Sequence, residues 1–367
     1  MRVQALADLL RNPRVSLESL NLFRTEIYDK GADILSAGLL GNNSLTNLYI
    51  NGFSEIGWLA IFAMLKNPQC RLSCLDLMHS NFNDAVARSL ANALRYNSTL
   101  KMLFLKDIHG ITNSGWRDLF MGILDGPHCI LEKLDLRDSR GDDPDSMIES
   151  LTSALAGNVN LKELHLFTCG SATPVGWQTL ASILRNPSSV LEILDLEDNS
   201  INDDIMSEFA MALANNTKLK IFFIVNIRGV TSISHDALSR LLCDTSSILN
   251  TFNSNHTLES IGFVLREDFS ALHRINRNNS IRQAARIKIL NSHFSGSDIN
   301  TQVFTDMKLN ILPTAMSWMG HDNGSNGGRN LMFEFLRRVP LICDTKSVSK
   351  KRKASIDLKS FTSERHK

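Results

Sequence analysis

Apolar and polar positions follow one template along most of this chain. It is clearest at Leu191-Glu-Ile-Leu194-Asp-Leu196-Glu-Asp-Asn199-Ser-Ile201-Asn-Asp203, followed by a helical run from Asp204 to Asn215. Alternating leucines at the fourth and sixth places of LxxLxLxxNxIxD predict a short strand with one buried face. The skeleton recurs from near residue 17 to near residue 265, with markers at Leu17, Leu45, Leu72, Leu100, Leu131, Leu161, Leu191, Leu219 and Leu258. Spacings run from 27 to 31 residues until the last, which is 39. A unit of that length holds a strand of about three to five residues, a turn, a helix of about three turns and a return loop. Such units bury their apolar side only by stacking on neighbours, so the pattern predicts a solenoid.

A second period lies over the first. Odd repeats enter through Leu10-Arg-Asn-Pro13, Leu65-Lys-Asn-Pro68, Leu124-Asp-Gly-Pro127 and Leu184-Arg-Asn-Pro187. Even repeats enter through Asn42-Asn-Ser-Leu45, Asn97-Ser-Thr-Leu100, Asn158-Val-Asn-Leu161 and Asn216-Thr-Lys-Leu219. The unit is therefore a pair of about 57 residues. This alternation resembles the ribonuclease-inhibitor type of leucine-rich repeat, a family shared with the sensor arms of NOD-like receptors and with Ran GTPase-activating proteins. The likeness covers about 250 residues and is specific to a fold rather than to an activity. It implies an α/β, right-handed leucine-rich-repeat solenoid (horseshoe), with parallel concave strands, outer helices and a C-terminal helical cap.

Two ladders support the register. Asp29, Asp84, Asp143 and Asp203 each lie twelve residues after an odd marker, where a short acceptor can cap the following helix. Trp58, Trp116 and Trp177, each preceded by Gly57, Gly115 or Gly176, open the even helices, and His235 takes that place in repeat eight. Apolar residues follow at i+3 and i+7, as in Leu119 and Ile123, giving one buried helix face. The indoles are expected to pack over the strand-to-helix loops; an outer binding stripe is the alternative.

The expected domains are a solenoid of about nine repeats over 1–265, a helical cap over 266–342 and a disordered basic tail over 343–367. Residues 4–14 read as the helix end of a repeat whose strand is absent, either a cap or a sign of missing upstream sequence. Helices are expected at 268–275, 280–290, 310–319 and 331–338.

Composition adds little push toward any partner: net charge is +1, with 43% apolar residues. No signal-peptide pattern and no run of about 18 uncharged apolar residues occurs, so a cytoplasmic protein without membrane contact is expected. Six irregularly spaced cysteines, Cys70, Cys74, Cys129, Cys169, Cys243 and Cys343, read as reduced, packed thiols without metal. There is no Gly-rich loop with Lys-Ser/Thr, no GxSxG and no HExxH, so neither catalysis nor a cofactor is expected. A GTPase activator remains the enzymatic alternative that the resemblance allows. Against it, the acidic tail of the Ran activators is replaced here by a basic one, and no Arg can be assigned their catalytic role.

The informative surface is the concave one. Residues beside the inward leucines point outward, and strands about 4.8 Å apart align them in columns. The central column reads Asn21, Tyr49, Asp76, Phe104, Asp135, His165, Asp195, Phe223. Beside it run Phe23, Met78, Arg137, Phe167 and Glu197, and beyond them Arg24, His79, Asp107, Asp138 and Asp198. Exposed rings and Met need covering, and the acids favour cations. The expected site is therefore Tyr49, Asp76, Met78, Phe104, Asp135, Arg137, Asp138, His165, Phe167, Asp195, Glu197, Asp198 and Phe223, on a monomer that takes a basic protein or peptide with an apolar anchor. The alternative is mutual satisfaction, as of Asp135 by Arg137, with rings shielding the leucines beneath.

The run Lys350, Lys351, Arg352, Lys353 fits a nuclear import signal or an ordinary solvated terminus, and Ser355 after Arg352-Lys-Ala fits a basophilic kinase. Four cations without aromatics are too small a patch for nucleic acid. A regulatory arm of a larger NOD-like sensor is the other alternative function.

Overall fold

The computed structural model describes residues 2–293 except 26, 127, 168–171, 226, 228 and 263–266. The described chain alternates helix and strand: α1 (Arg2–Arg11), β1 (Ser19–Asn21), α2 (Asp29–Leu40), β2 (Asn47–Tyr49), α3 (Glu55–Ala63), β3 (Cys74–Asp76), α4 (Asp84–Leu94), β4 (Met102–Phe104) and α5 (Asn113–Leu124). It continues with β5 (Lys133–Asp135), α6 (Pro144–Leu155), β6 (Glu163–His165), α7 (Pro174–Arg185), β7 (Ile193–Asp195), α8 (Asp203–Leu213), β8 (Ile221–Phe223) and α9 (Ser232–Leu242). Last come α10 (Ile248–Asn253), β9 (Ser260–Gly262), α11 (Glu267–Asn278) and α12 (Ile281–His293). The strands form one parallel nine-stranded sheet in sequence order, and helices connect them. This is the leucine-rich-repeat solenoid expected from the pattern. The insertion behind the 39-residue last spacing contains α10, which the leucine pattern does not announce.

Contacts divide the chain into two compact units. One comprises 1–245 and 250–288, and the described part of the other is Ser246–Leu249 with 289–293. Helix α11 and the start of α12 thus belong to the same compact unit as the repeats. The later helices and tail expected beyond residue 293 lie outside the described residues.

Repeat stacking explains the leucine template. Leu103 and Leu105, Leu134 and Leu136, and Leu164 and Leu166 are 0–1% exposed, each pair flanking an outward residue. Burying one such side chain contributes about 1.5–3 kcal/mol. The three indoles are fully buried, as the loop-packing expectation required. Trp58 lies 5.2 Å from both Phe53 and Phe82, which sit on strand-to-helix loops. The Trp116 Nε1–H donates to the Arg140 carbonyl at 3.1 Å.

The aspartate ladder does a different job from capping its own helix. Only Asp143 caps, accepting from the Asp145 amide at 3.1 Å; the caps of α4 and α8 are Asn83 and Asn202. Asp29, Asp84 and Asp203 sit one residue inside their helices and reach to the next repeat. There they accept from backbone amide and hydroxyl together: Ser54 (3.0 and 2.6 Å), Thr112 (2.8 and 2.7 Å) and Thr231 (2.8 and 2.6 Å). In the fifth repeat Asp145 takes this role, on Thr173. The clasp demands room. A Cβ on Gly57 or Gly176 would lie 2.7 or 2.5 Å from the clasping oxygen of Asp29 or Asp145, so the glycine before each Trp is a consequence of the clasp.

The even-repeat asparagines close the other junction. Buried Asn97 donates to the Leu65 carbonyl (2.9 Å) and accepts from the amides of Thr99 and Leu100 (3.0 and 2.8 Å). Asn42, Asn158 and Asn216 repeat the pattern onto Leu10, Leu124 and Leu184. A buried amide that satisfies three backbone groups is costly to replace.

Candidate functional site

Register places the expected central column as read from sequence: Asn21, Tyr49, Asp76, Phe104, Asp135, His165, Asp195 and Phe223 are successive partners across the sheet. The column is not uniformly displayed. Tyr49, Phe104 and Phe223 are half-buried, His165 keeps 13% of its side chain exposed, and Asp76, Asp135 and Asp195 are 4%, 0% and 6% exposed. An alternation of displayed acid and ring is thus replaced by half-buried rings alternating with buried acids.

The reason is local. Asn21, Asp76, Asp135 and Asp195 each turn one side-chain oxygen back to accept the amide two residues on, at 3.0 to 3.1 Å. These Asx turns end the odd strands. Burial pushes the Asp76 carboxyl above its ordinary range, against the Met78 amide that lowers it. Asp135 is answered by Arg137, whose Nε donates to both carboxylate oxygens at 2.9 Å and whose Nη2 also bonds Asp135.

Further along, the charges form a chain. His165 Nδ1 lies 3.0 Å from Asp195 and its Nε2 3.7 Å from Glu163; Lys133 holds Glu163 at 2.7 Å and stands 5.7 Å from the Phe104 ring centroid. At the start of the strands a second series alternates sign, with Lys101 and Lys162 on Glu132 and Lys220 on Glu192.

What the protein leaves unanswered is small and localised. Among the described residues Asp138, Glu197 and Asp198 make no ion pair. Burial raises the Glu197 carboxyl, and the charges of Asp195 and Asp198 push it further, against Arg137 and His165. Glu197, Met78 and Phe167 are half-buried, and Asp198 is exposed. Arg24, His79, Asp107, Asp138 and Asp198 have φ between 52° and 60°. This left-handed position lets the amides of His79, Asp107, Asp138 and Asp198 bond the next repeat at 2.8 to 3.1 Å, so the outermost column is a backbone device that also presents side chains.

Sequence reasoning missed two features. Asp107 bridges His79 (2.6 Å) and His109 (2.8 Å), which draw its carboxyl below the ordinary range. The clasp was readable: Ser54, Thr112, Thr173 and Thr231 each stand three residues before the position of the Trp-leading glycine. The basic run 350–353 lies outside the described residues. No helix among the described residues is long and apolar enough to cross a membrane.

No family model matches the chain. It is 30% identical over 222 residues, 58% of its length, to NACHT, LRR and PYD domains-containing protein 14 of Mus musculus. It is 31% identical over 196 residues, 53% of its length, to NACHT, LRR and PYD domains-containing protein 12 of Homo sapiens. It is 27% identical over 243 residues, 64% of its length, to Ribonuclease inhibitor of Mus musculus. The chain spans 21% and 18% of the first two proteins and 50% of the third. With nine parallel strands in register and the paired repeat, these likenesses agree on the fold: the chain is a leucine-rich-repeat solenoid whose repeats are similar to those of the ribonuclease-inhibitor type.

Proposed function

We propose that this chain is a non-catalytic scaffold that binds a protein or peptide through the concave strand face, with a basic side chain and an apolar anchor as the recognised features. The observation that carries this reading is the unpaired acids Glu197 and Asp198, with Asp138 two repeats earlier, in a sheet that also carries the half-buried rings Phe167 and Phe223. A partner cation would relieve the mutual repulsion there, and a partner side chain would cover the rings. Asp76, Asp135 and Asp195 support the face from beneath, through turns and internal pairs, whereas Tyr49, Met78, Phe104, Arg137 and His165 extend the wall toward earlier repeats.

The test is binding of a peptide panel varied in Lys/Arg and aromatic content, read by fluorescence anisotropy. Glu197→Lys with Asp198→Lys is expected to weaken Lys/Arg-aromatic peptides by about tenfold or more, with the effect shrinking at high salt. Equal binding by a folded variant overturns the reading.

A second reading is that the chain is the repeat arm of a larger NACHT-containing sensor. The likeness to the two NACHT, LRR and PYD proteins supports it. A full-length transcript without an in-frame NACHT region would end that reading.

A further inference from the structure

The end of the repeat unit carries an unusual concentration of buried bases. Lys288 on α12 is 1% exposed, and its Nζ donates to the carbonyls of Leu242 (2.6 Å) and Asn255 (2.9 Å). His256, before β9, is 7% exposed; its Nε2 bonds the Phe252 carbonyl at 3.0 Å and its Nδ1 has no partner. His273 on α11 is 8% exposed, with Nε2 unpartnered, and Oδ1 of buried Asn276 is unpartnered as well. Asn276 and Arg277 of α11 hold the last repeat by donating to the carbonyls of Leu258 (2.7 Å) and Glu259 (2.9 Å).

The groups facing this cluster come from every element around it. Helix α9 brings His235, stacked on Phe269 at 4.9 Å, with Asp236 3.8 Å from its ring on the exposed side. The loop after α9 brings Cys243, followed in sequence by the partly exposed Asp244, the segment into β9 brings His256, α11 brings His273 and Arg277, and α12 brings Lys288. The cation Lys288 acts on both His256 and His273, and Arg277 acts on His273 as well. A proton arriving on either imidazole would therefore be buried beside an existing cation.

We propose that α11 and the start of α12 form an acid-released cap, in which protonation of His256 and His273 beside the buried Lys288 detaches these helices from the last repeat. Opening would bare Leu241, Leu258 and Phe269, which are 5%, 0% and 1% exposed in the closed state. Burial first, then the neighbouring cations, lowers both imidazoles to about 4 and Lys288 to about 8. The sign follows. The open state binds more protons than the closed one as pH falls from 6.5 toward about 4, so closure weakens with acid; between about 8 and 10.5 the same rule for Lys288 strengthens closure as pH rises.

Hydrogen exchange of the intact chain, corrected for intrinsic rates, tests this between about pH 7.5 and about pH 5. Protection over 255–288 is expected to fall by roughly tenfold per histidine while the strands of repeats three to seven keep theirs. H256Q with H273Q should abolish the differential. Should that variant misfold, the wild-type profile still decides. Protection of 255–288 that is insensitive to pH, or lost in step with the central strands, overturns the proposal, as does a folded variant that retains the differential.

Discussion

Gly115 and Gly157 differ sharply in what a methyl group would meet. At Gly115 a Cβ would strike the Asp84 carboxylate, which holds Thr112 of the same repeat; at Gly157 nothing lies within 4 Å. Gly115→Ala is expected to cost about 1–3 kcal/mol in denaturant unfolding, and Gly157→Ala to be neutral or slightly stabilising. Asp76 offers a second contrast, because Asn21 already makes the same turn in repeat one. Asp76→Asn keeps the acceptor and removes a buried charge whose carboxyl is raised, so stability at neutral pH should hold or rise; Asp76→Ala should lose about 1 kcal/mol or more. Asp203 behaves in the opposite sense. Hydrogen bonds from Ser234 and Thr231 hold its carboxyl at about 2, so the stability it lends is present above 3.8 and is lost as pH falls from 3.8 toward about 2. A carboxyl NMR titration checks this, and Ser234→Ala should move the midpoint upward.

At the scale of the element, the even strands β2, β4, β6 and β8 separate packing from display within three residues, one buried residue between two half-buried ones. Phe104→Ala with Phe167→Ala removes half-buried rings and should change stability by less than Leu103→Ala, whose fully buried side chain is expected to cost about 2–5 kcal/mol. Thermal denaturation ranks the two, and the peptide assay should rank them in reverse. Helices divide differently. Asn97 joins one helix end to the next strand through three bonds, so Asn97→Ala should cost about 2–3 kcal/mol although it removes no apolar contact. Leucine spacing located every repeat strand, but the clasp and the asparagine bracket escaped it because each joins residues 25 to 34 positions apart through polar atoms that no hydrophobic period registers.

For the whole unit, each strand pairs only with its sequence neighbours, so cooperativity is passed from repeat to repeat. Protection against exchange should be highest in β3 to β7 and decline toward β1, which has one partner strand only. Uniform protection along the sheet would contradict this one-dimensional coupling. The charged series Lys101, Glu132, Lys162 and Glu192, Lys220 is exposed and should contribute little at physiological salt, about 0–1 kcal/mol per pair.

The sequence by itself determined the repeat, its pairing into odd and even units, the strand register and the identity of every outward column, because these depend on periodicity and periodicity is local. Tertiary structure alone decided which column members are surface. Asp76, Asp135 and Asp195 share a column with Phe104 and His165, yet their carboxylates are buried, because each accepts the amide two residues on at the end of its strand. Likewise no pattern in the chain announces that Lys288, His256 and His273 meet, since they lie on three separate segments and are brought together only by tertiary contacts.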